Sequence, residues 1–454
     1  MASILALPEE LVDLILDELN PQRSTELGDS GPLHDPALGS CLSVSKLFRH
    51  LAVSKIFKHT KIIHKPQEQE KGQQRLALLR QILTPPTGSV LESVGTHIKS
   101  LSCIFQLHHV PAWNVNARQF MGDENLAFVV KRMSEGDCCV THFAFGMSAP
   151  SDSDIRWSLL NLDLQHALRC LIRSPNLVSL DIRGIKYLPA NFMVGAHLSD
   201  LRLQQFPGYE DGPKKWFALT FDPQYSRLDC PPLKSLYTDH SYQYLDSKTK
   251  LANLKKLIVH NAVAEDFANA RDIIQTSVNT LEHVSIEHFG IGQPGIPATF
   301  RIDHISNLKT FSHLRFWEFD WNFPPILLPA EPILEVFFQL LDARSSMSSL
   351  VRIKLEFYFH EQTVKEDFLH PKDLPEWDRF DALLCGPQYS ALEQVSIVAH
   401  ARLMLHDVPT FDVDIFSSST TSRIMACLPR LAMHKALAVK IMAQVQGQPV
   451  AISW

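Results

Sequence analysis

Along most of the chain the apolar positions follow one short rule. An aliphatic residue is followed after two residues by a second aliphatic or aromatic one, and after one further residue by a third. The clearest copies are Leu177-Val178-Ser179-Leu180-Asp181-Ile182, Leu198-Ser199-Asp200-Leu201-Arg202-Leu203 and Leu254-Lys255-Lys256-Leu257-Ile258-Val259. Leu281-Glu282-His283-Val284-Ser285-Ile286 and Leu392-Glu393-Gln394-Val395-Ser396-Ile397 continue the series, and looser copies start at Ile98, Val140, Leu233, Leu314 and Leu350. The last three positions alternate in, out, in, which predicts a short strand with one buried face.

Amphipathic helical stretches precede several copies, at Leu159–Arg173, Ala264–Ser277 and Ile333–Arg344. Strands joined through helices must run parallel. Strand and helix alternating at a recurring interval predicts a solenoid, in which one repeat buries its apolar side only against its neighbours. The spacing is irregular, from the step 177 to 198 up to the step 350 to 392. An α/β domain with ordinary parallel strands is the other architecture open at this point. Stacking would leave a long concave strand face. Its outward residues would be Ser179, Asp181, Arg183, Asp200, Arg202, Lys256, His260, His283, Glu287, Phe316, Glu318, Asp320, Arg352 and Glu356. This chemically mixed set suits a protein or peptide ligand, and Asp181, Arg183, Arg202, Lys256, His260, His283, Glu287, Phe316, Glu318 and Arg352 are the candidate target contacts. Aromatics cluster at Phe311, Phe316, Trp317, Phe319, Trp321 and Phe323 and at Phe357–Phe359. Such side chains anchor interfaces, but most of these are expected in the core. Leu428 to Val445 reads as a helix capping the last repeat.

The first 65 residues follow a different pattern. Leu7-Pro8-Glu9-Glu10 opens a helix, because proline suits the first helical position and acidic residues favour the positive end of the dipole. The helix should end at Asn20-Pro21. Leu11, Val12, Leu14, Ile15, Leu16 and Leu19 cover an arc of roughly 200°, twice the width a surface helix needs against one core. Two apolar contacts, or a central place in its own domain, would both account for that. Residues 21–37 are turn-rich and read as a loop. Leu38, Leu42, Leu47, Phe48, Leu51 and Ile56 then recur at helical intervals across two short helices. Lys46, Arg49, Lys55, Lys58, Lys61 and Lys65 make this stretch basic, with no acidic residue between Asp35 and Glu68. A solvated face balancing the acidic first helix accounts for it without nucleic acid. Residues 66–75 read as a polar linker, followed by a helix from Gln73 to Leu83.

The order Leu7-Pro8-x-Glu10-Leu11 … Ile15 … Leu19, then Cys41-Leu42-Ser43-Val44-Ser45-Lys46-x-Phe48-Arg49-x-Leu51, resembles an F-box of the kind that heads many fungal F-box proteins. The resemblance implies a three-helix unit docking on the Skp-type adaptor of a cullin–RING ubiquitin ligase. It places the adaptor contacts at Leu7, Pro8, Leu11, Ile15 and Leu19, with Leu42, Val44, Phe48 and Leu51 shared between contact and internal packing. The loop after the first helix is longer than in that family, and Ile56-Phe57 stand where a tryptophan is common. The downstream repeats likewise resemble a degenerate leucine-rich repeat, lacking most of the asparagines that follow its strand. Together the two resemblances imply an F-box-like unit over 1–65, a linker and connecting helix over 66–96, and an irregular leucine-rich-repeat-like solenoid with short parallel strands over 97–454. The implied role is substrate recognition for the ligase. A repeat scaffold with no ligase role is the alternative.

Composition narrows this further. The chain has 454 residues, more than one compact core of about 250–300 residues holds, so several domains or an elongated repeat body are expected. A net charge of −6 supplies no general cationic surface for nucleic acid. Glu9, Glu10 and Asp13 break the N-terminal apolar run, and prolines and glutamates break the stretch Phe323–Leu341, so neither a signal sequence nor a membrane span is expected. Eight cysteines without a CxxC read as free thiols packed as small hydrophobes, which places the chain in the cytoplasm or nucleus. Gly290-Ile291-Gly292-Gln293-Pro294-Gly295 fits GxGxxG, but Pro294 and Pro297 deny it the helix that would receive a pyrophosphate. His360-Glu361 begins HExxH, but Val364 stands where the second histidine belongs. No catalytic residue, metal or cofactor is therefore expected.

Overall fold

The structure is a computed structural model. It describes residues 40, 46–64, 69–84, 94–105, 119–147, 155–185, 188–189, 192–204, 233–238, 251–261, 264–289, 305–316, 347, 349–360, 374–403, 413–433 and 437–445. The chain divides into two compact units, Met1–Pro231 with Gln243–Asp246, and Pro232–Tyr242 with Ser247–Trp454. The apolar periodicity alone, read as one run from 97 to 454, does not show this division.

In the first unit five strands pair in parallel in chain order: β1 (His59–His64), β2 (Ser100–Phe105), β3 (His142–Met147), β4 (Ser179–Arg183) and β5 (Asp200–Gln204). The second unit repeats the arrangement with β6 (Ser235–Thr238), β7 (Lys256–Asn261), β8 (His283–Phe289), β9 (Thr310–Phe316), β10 (Arg352–His360), β11 (Gln394–Leu403) and β12 (Leu437–Val445). Both are parallel α/β arrays, as the alternation predicts.

The entries to β1–β4 and β6–β10 are built the same way. The carbonyl just before a strand accepts two consecutive N–H groups from the next repeat. Lys99 O takes Thr141 N at 2.8 Å and His142 N at 3.1 Å, and Thr141 O takes Val178 N and Ser179 N at 2.8 and 2.9 Å. In the second unit Lys255 O takes Glu282 N and His283 N, Glu282 O takes Lys309 N and Thr310 N, and Lys309 O takes Val351 N and Arg352 N. Just upstream, a tight turn brings the N–H of the first aliphatic onto the carbonyl three residues earlier, as at Leu177–Ser174, Leu254–Leu251, Leu308–Ile305, Leu350–Met347 and Leu392–Tyr389. Leu251, Ile305, Met347 and Tyr389 are themselves buried, so each of these repeats has one more core residue than the pattern predicts.

A polar side chain immediately before the first aliphatic ties several repeats backwards. Thr280 Oγ1 donates to Leu254 O at 3.0 Å, Ser349 Oγ to Ser306 O at 2.6 Å, Asn307 Nδ2 to Asn279 O at 2.5 Å and Asn176 Nδ2 to Cys138 O at 3.3 Å. These groups satisfy carbonyls that irregular backbone would otherwise leave unpaired.

Inward strand positions form the core. Leu101, Cys103 and Phe105 of β2 stand beside Phe143, Phe145 and Met147 of β3, then Leu180 and Ile182, then Leu201 and Leu203, all buried. Each such aliphatic or aromatic side chain contributes about 1.5–3 kcal/mol by leaving water. Burial pushes the Cys103 thiol up to about 12 and the Cys138 thiol up to about 11; the six described cysteines are free, Cys103 and Cys138 buried and the other four half-buried. Helices α1 (Lys46–Phe57), α2 (Gln69–Leu83), α3 (Glu124–Met133) and α4 (Leu162–Ile172) belong to this unit, with α2, α3 and α4 packed in succession. Asp123 caps α3 by accepting from Asn125 N at 2.7 Å, and Asn161 caps α4 by accepting from Asp163 N at 2.8 Å. Gly146 lies in the left-handed region, and a Cβ there would fall 1.9 Å from Arg183 O, so β3 needs glycine to approach β4.

In the second unit α5 (Ala264–Ser277) coincides with its predicted limits, and α6 (Leu374–Leu384), α7 (Val413–Cys427) and α8 (Pro429–Met433) follow. Asp381 of α6 is fully buried, and its two carboxylate oxygens accept from Arg430 N and Leu431 N, both at 2.9 Å. It caps the first turn of α8 from another helix, where negative charge also meets the positive helix end.

Several expectations change. The predicted helix 428–445 is a short helix, α8, followed by strand β12, because Val439, Ile441, Ala443 and Val445 alternate with Lys440, Met442 and Gln444 at period two. The copy assigned to Leu314 starts at Leu308. Leu308 and Phe311 are fully buried, while His313 occupies the third position and hid the match. Residues 59–64, read as the end of a helical unit, form β1. The helix expected from Gln73 starts at Gln69, inside the supposed linker. The helix expected over 159–173 is α4, Leu162–Ile172, preceded by a separate 3-10 turn, Trp157–Leu159, and the predicted helix 333–344 lies outside the described residues.

His64 is an inward residue that breaks the apolar rule. It is 1% exposed, stacks on Phe105 at 5.2 Å and lies 4.9 Å from Phe120, and neither ring nitrogen has a hydrogen-bond partner among the described residues. Burial lowers its pKa, and the nearby Asp123 carboxylate opposes that shift.

Two outcomes follow from these buried groups. Asp381→Ala should lower the stability of the second unit by about 2–3 kcal/mol, and Asp381→Asn by less; the urea midpoint and hydrogen exchange over 429–433 check this. For His64 the folded state prefers the neutral ring. Stability is therefore full above the ordinary histidine value of 6.5 and falls as pH drops below it, by at most about 1.4 kcal/mol per pH unit. His64→Leu should make the urea midpoint less dependent on pH between 6.5 and 5, as measured beside the wild type.

Candidate interaction surface

The side chains that alternate with the core positions stand in rows across the strands, because the register sets equivalent residues side by side. In the first unit one row runs His59, Ser100, His142, Ser179, Asp200, and the next runs Lys61, Ser102, Ala144, Asp181, Arg202. Three predicted contacts meet here. Arg183 donates to Asp181 through Nε at 2.9 Å and Nη2 at 2.5 Å, and Arg202, opposite Asp181 on β5, brings its Nε to 3.8 Å. Asp181 and Arg183 are half-buried, and the forked pair holds their side chains in one geometry. This cluster is largely spent on itself.

The second unit differs. Lys256, His283, Thr310 and Arg352 form one row across β7 to β10. Lys256 and Arg352 are exposed, while His283 is half-buried. Burial lowers the His283 pKa, Lys256 and Lys309 lower it further, and Glu282 opposes them. His260 and Glu287 are register partners on β7 and β8, and Phe316 ends β9 in register with Tyr358. Glu318 and Asp320 lie outside the described residues, as do Trp317, Phe319, Trp321 and Phe323 of the aromatic cluster.

The outward pattern missed a neighbouring row. The residue after the first aliphatic of each repeat stands at the strand entrance: Lys234, Lys255, Glu282 and Lys309. Lys255 Nζ reaches Glu282 Oε1 at 3.0 Å and Lys309 Nζ reaches Oε2 at 2.6 Å. Their hydrogen bonds, Lys309 first, hold the Glu282 carboxyl down at about 2. Lys354, two residues beyond Arg352, pairs with Glu356. Lys234, Lys256 and Arg352 have no ion-pair partner among the described residues. The signal for this row was present as a recurring charge in the second place of L-x-x-L-x-L, outside the alternation used to choose outward residues.

Of the predicted adaptor contacts, Leu7, Pro8, Leu11, Ile15, Leu19, Leu42 and Val44 lie outside the described residues. Phe48 falls in α1, and Leu51 of α1 is 7% exposed, packed inside the chain. The GxGxxG match also lies outside the described residues, and His360 ends β10. Among the described residues no group of three or more His, Cys, Asp or Glu is placed to hold a metal ion, and no helix is long and apolar enough to cross a membrane.

The class these features define is a parallel α/β repeat whose strands present a polar, charged face. Comparison with protein-family models and with curated proteins finds no match.

Glu282 is expected to stay ionised down to about pH 2. What its two lysine pairs contribute is present above the usual glutamate value and is lost as pH falls toward 2. Titrating its carboxyl by NMR checks this, and Lys255→Met with Lys309→Met should return it to the ordinary range.

Proposed function

We propose that this chain is the substrate-recognition adaptor of a cullin–RING ubiquitin ligase, working in the cytoplasm or nucleus. The N-terminal F-box would hold the Skp-type adaptor, and an irregular leucine-rich-repeat-like solenoid would hold a target protein. The chain performs no chemistry of its own in this reading. It raises the target's effective concentration near the ubiquitin-charged enzyme carried by other subunits.

The observation that carries the reading is the conjunction of two features in one chain. The motif from Leu7-Pro8 to Leu51 resembles an F-box in the order of its residues, with a longer loop after the first helix. Downstream, strand after strand places polar and charged residues in register on one side and aliphatics on the other. A strand face of this kind suits recognition of a protein surface better than catalysis, which needs titratable groups converging in a concave site.

A second reading is favoured by one observation. Helix α1 packs on β1 and on the turn Val94–His97, and Lys58 O just beyond it accepts the first strand-entry bonds, from Lys99 N and Ser100 N. The head would then simply cap a binding scaffold.

Leu7→Ala combined with Pro8→Ala separates the two. In the receptor reading the full-length wild type binds the Skp-type adaptor, and the double variant loses that binding while its far-ultraviolet circular dichroism and urea midpoint stay unchanged. Absence of binding by the wild type, or full binding by the folded variant, removes the ligase assignment.

A further inference from the structure

The charge on the second unit's strand face is unevenly compensated. Among the described residues, six cations line its β6 to β10 part: Lys234, Lys255, Lys256, Lys309, Arg352 and Lys354. Glu282 absorbs Lys255 and Lys309, and Glu356 absorbs Lys354. That leaves Lys234, Lys256 and Arg352 exposed without a partner among the described residues. They sit in a protein whose net charge is −6, so they do not belong to a generally cationic surface.

The register fixes how two of these cations are separated. Lys256 is paired with His283, His283 with Thr310 and Thr310 with Arg352, so the two charges lie on one row, three strand spacings apart. Neighbouring strands lie about 4.8 Å apart, which puts the two backbone positions about 14 Å from each other. An extended peptide rises about 3.4 Å per residue and points alternate side chains to one side, so residues four apart on one face are separated by about 13–14 Å. Between the cations stand only His283, whose pKa is held low, and the hydroxyl of Thr310.

We propose that this row binds an extended acidic segment of a partner protein, with two carboxylates four residues apart seated on Lys256 and Arg352. A neutral polar residue midway would face His283 and Thr310. Lys234 lies at the β6 entrance and extends the attraction toward the segment's β6 side. Carboxylates fit better than phosphates, because the row offers one guanidinium fork and not the arginine cluster that phosphate recognition uses. Nucleic acid fits worse, since Glu282, Glu356 and Glu393 would repel a continuous phosphate chain. The inference deepens the reading of this face as the target surface, and it is independent of whether a ligase is engaged.

The test uses the full-length chain and a fluorescent nine-residue peptide with two aspartates four residues apart in a serine–glycine background. Fluorescence polarisation should show binding that weakens as salt is raised, since exposed charges are screened over about 10 Å at 0.1 M. Moving the aspartates to two residues apart should weaken binding about tenfold, as should Lys256→Glu with Arg352→Glu. Glu282→Gln frees Lys255 and Lys309 and should strengthen binding, a gain that misfolding cannot imitate. No binding, equal binding at both spacings, indifference to the double variant, or stronger binding of a phosphoserine peptide or a single-stranded RNA would each overturn the proposal. Measuring Skp-type adaptor binding in parallel keeps the two readings apart. Peptide binding without adaptor binding sinks only the ligase assignment, and the reverse sinks only this site.

Discussion

One interaction sets the geometry of everything else: the carbonyl at the strand entrance that, from β1 to β4 and from β6 to β10, accepts two N–H groups from the following repeat. It fixes register before any side chain is considered, because Lys255 O can meet Glu282 N and His283 N only if Lys256 stands beside His283. In a parallel pair a slip of one residue would exchange the apolar and polar faces. The tight turn upstream supports the same lock, since it delivers the first aliphatic of the repeat to the core with its N–H already satisfied. Connections of very different length can then be tolerated between strands, since loop-closure entropy rises only slowly with length. This explains how irregular spacing in sequence coexists with a regular array.

Fixed register turns sequence positions into a two-dimensional pattern of charge. In the first unit the opposite signs fall within reach of one another, and Asp181 holds Arg183 in a fork with Arg202 beside it. These pairs use up the charges that a partner would need. In the second unit the same lattice sets Glu282 between two lysines and leaves Lys256 and Arg352 without an acidic partner among the described residues. A lone surface cation is well solvated and gains nothing within the fold. Its fixed spacing from a second cation matters only to a ligand.

The sequence made the core rows legible because aliphatics at the first, fourth and sixth places survive in nearly every copy. It was less informative where the physics relied on other groups. Strand β1 contains His59, Lys61 and His64, so its alternation is weak, and its membership is decided by pairing with β2. His64 reads as polar yet lies in an aromatic slot against Phe105 and Phe120. The copy beginning at Leu308 was displaced because a histidine holds its third place. The backward ties of Asn176, Thr280, Asn307 and Ser349 carry no hydrophobic signal at all, although their place just before the first leucine is regular. Strand β12 was obscured by a different ambiguity, since a short apolar run fits helix and strand until a partner strand decides.

The candidate surface was legible to the extent that it obeys period two. Asp181, Arg183, Arg202, Lys256, His283 and Arg352 all stand on strands where alternation puts them. What alternation cannot show is which charges neutralise one another, because that depends on neighbours far apart in sequence. Glu282 and Lys309 meet across 27 residues. Once the register is known, the distinction between a self-satisfied cluster and an unmatched row follows from Coulomb's law and the strand spacing alone. The same local rule, repeated, builds a surface whose outward charges are free to differ from repeat to repeat while the core beneath them stays constant. Recognition can therefore be specified by a few side chains on this lattice without disturbing the interactions that hold it together.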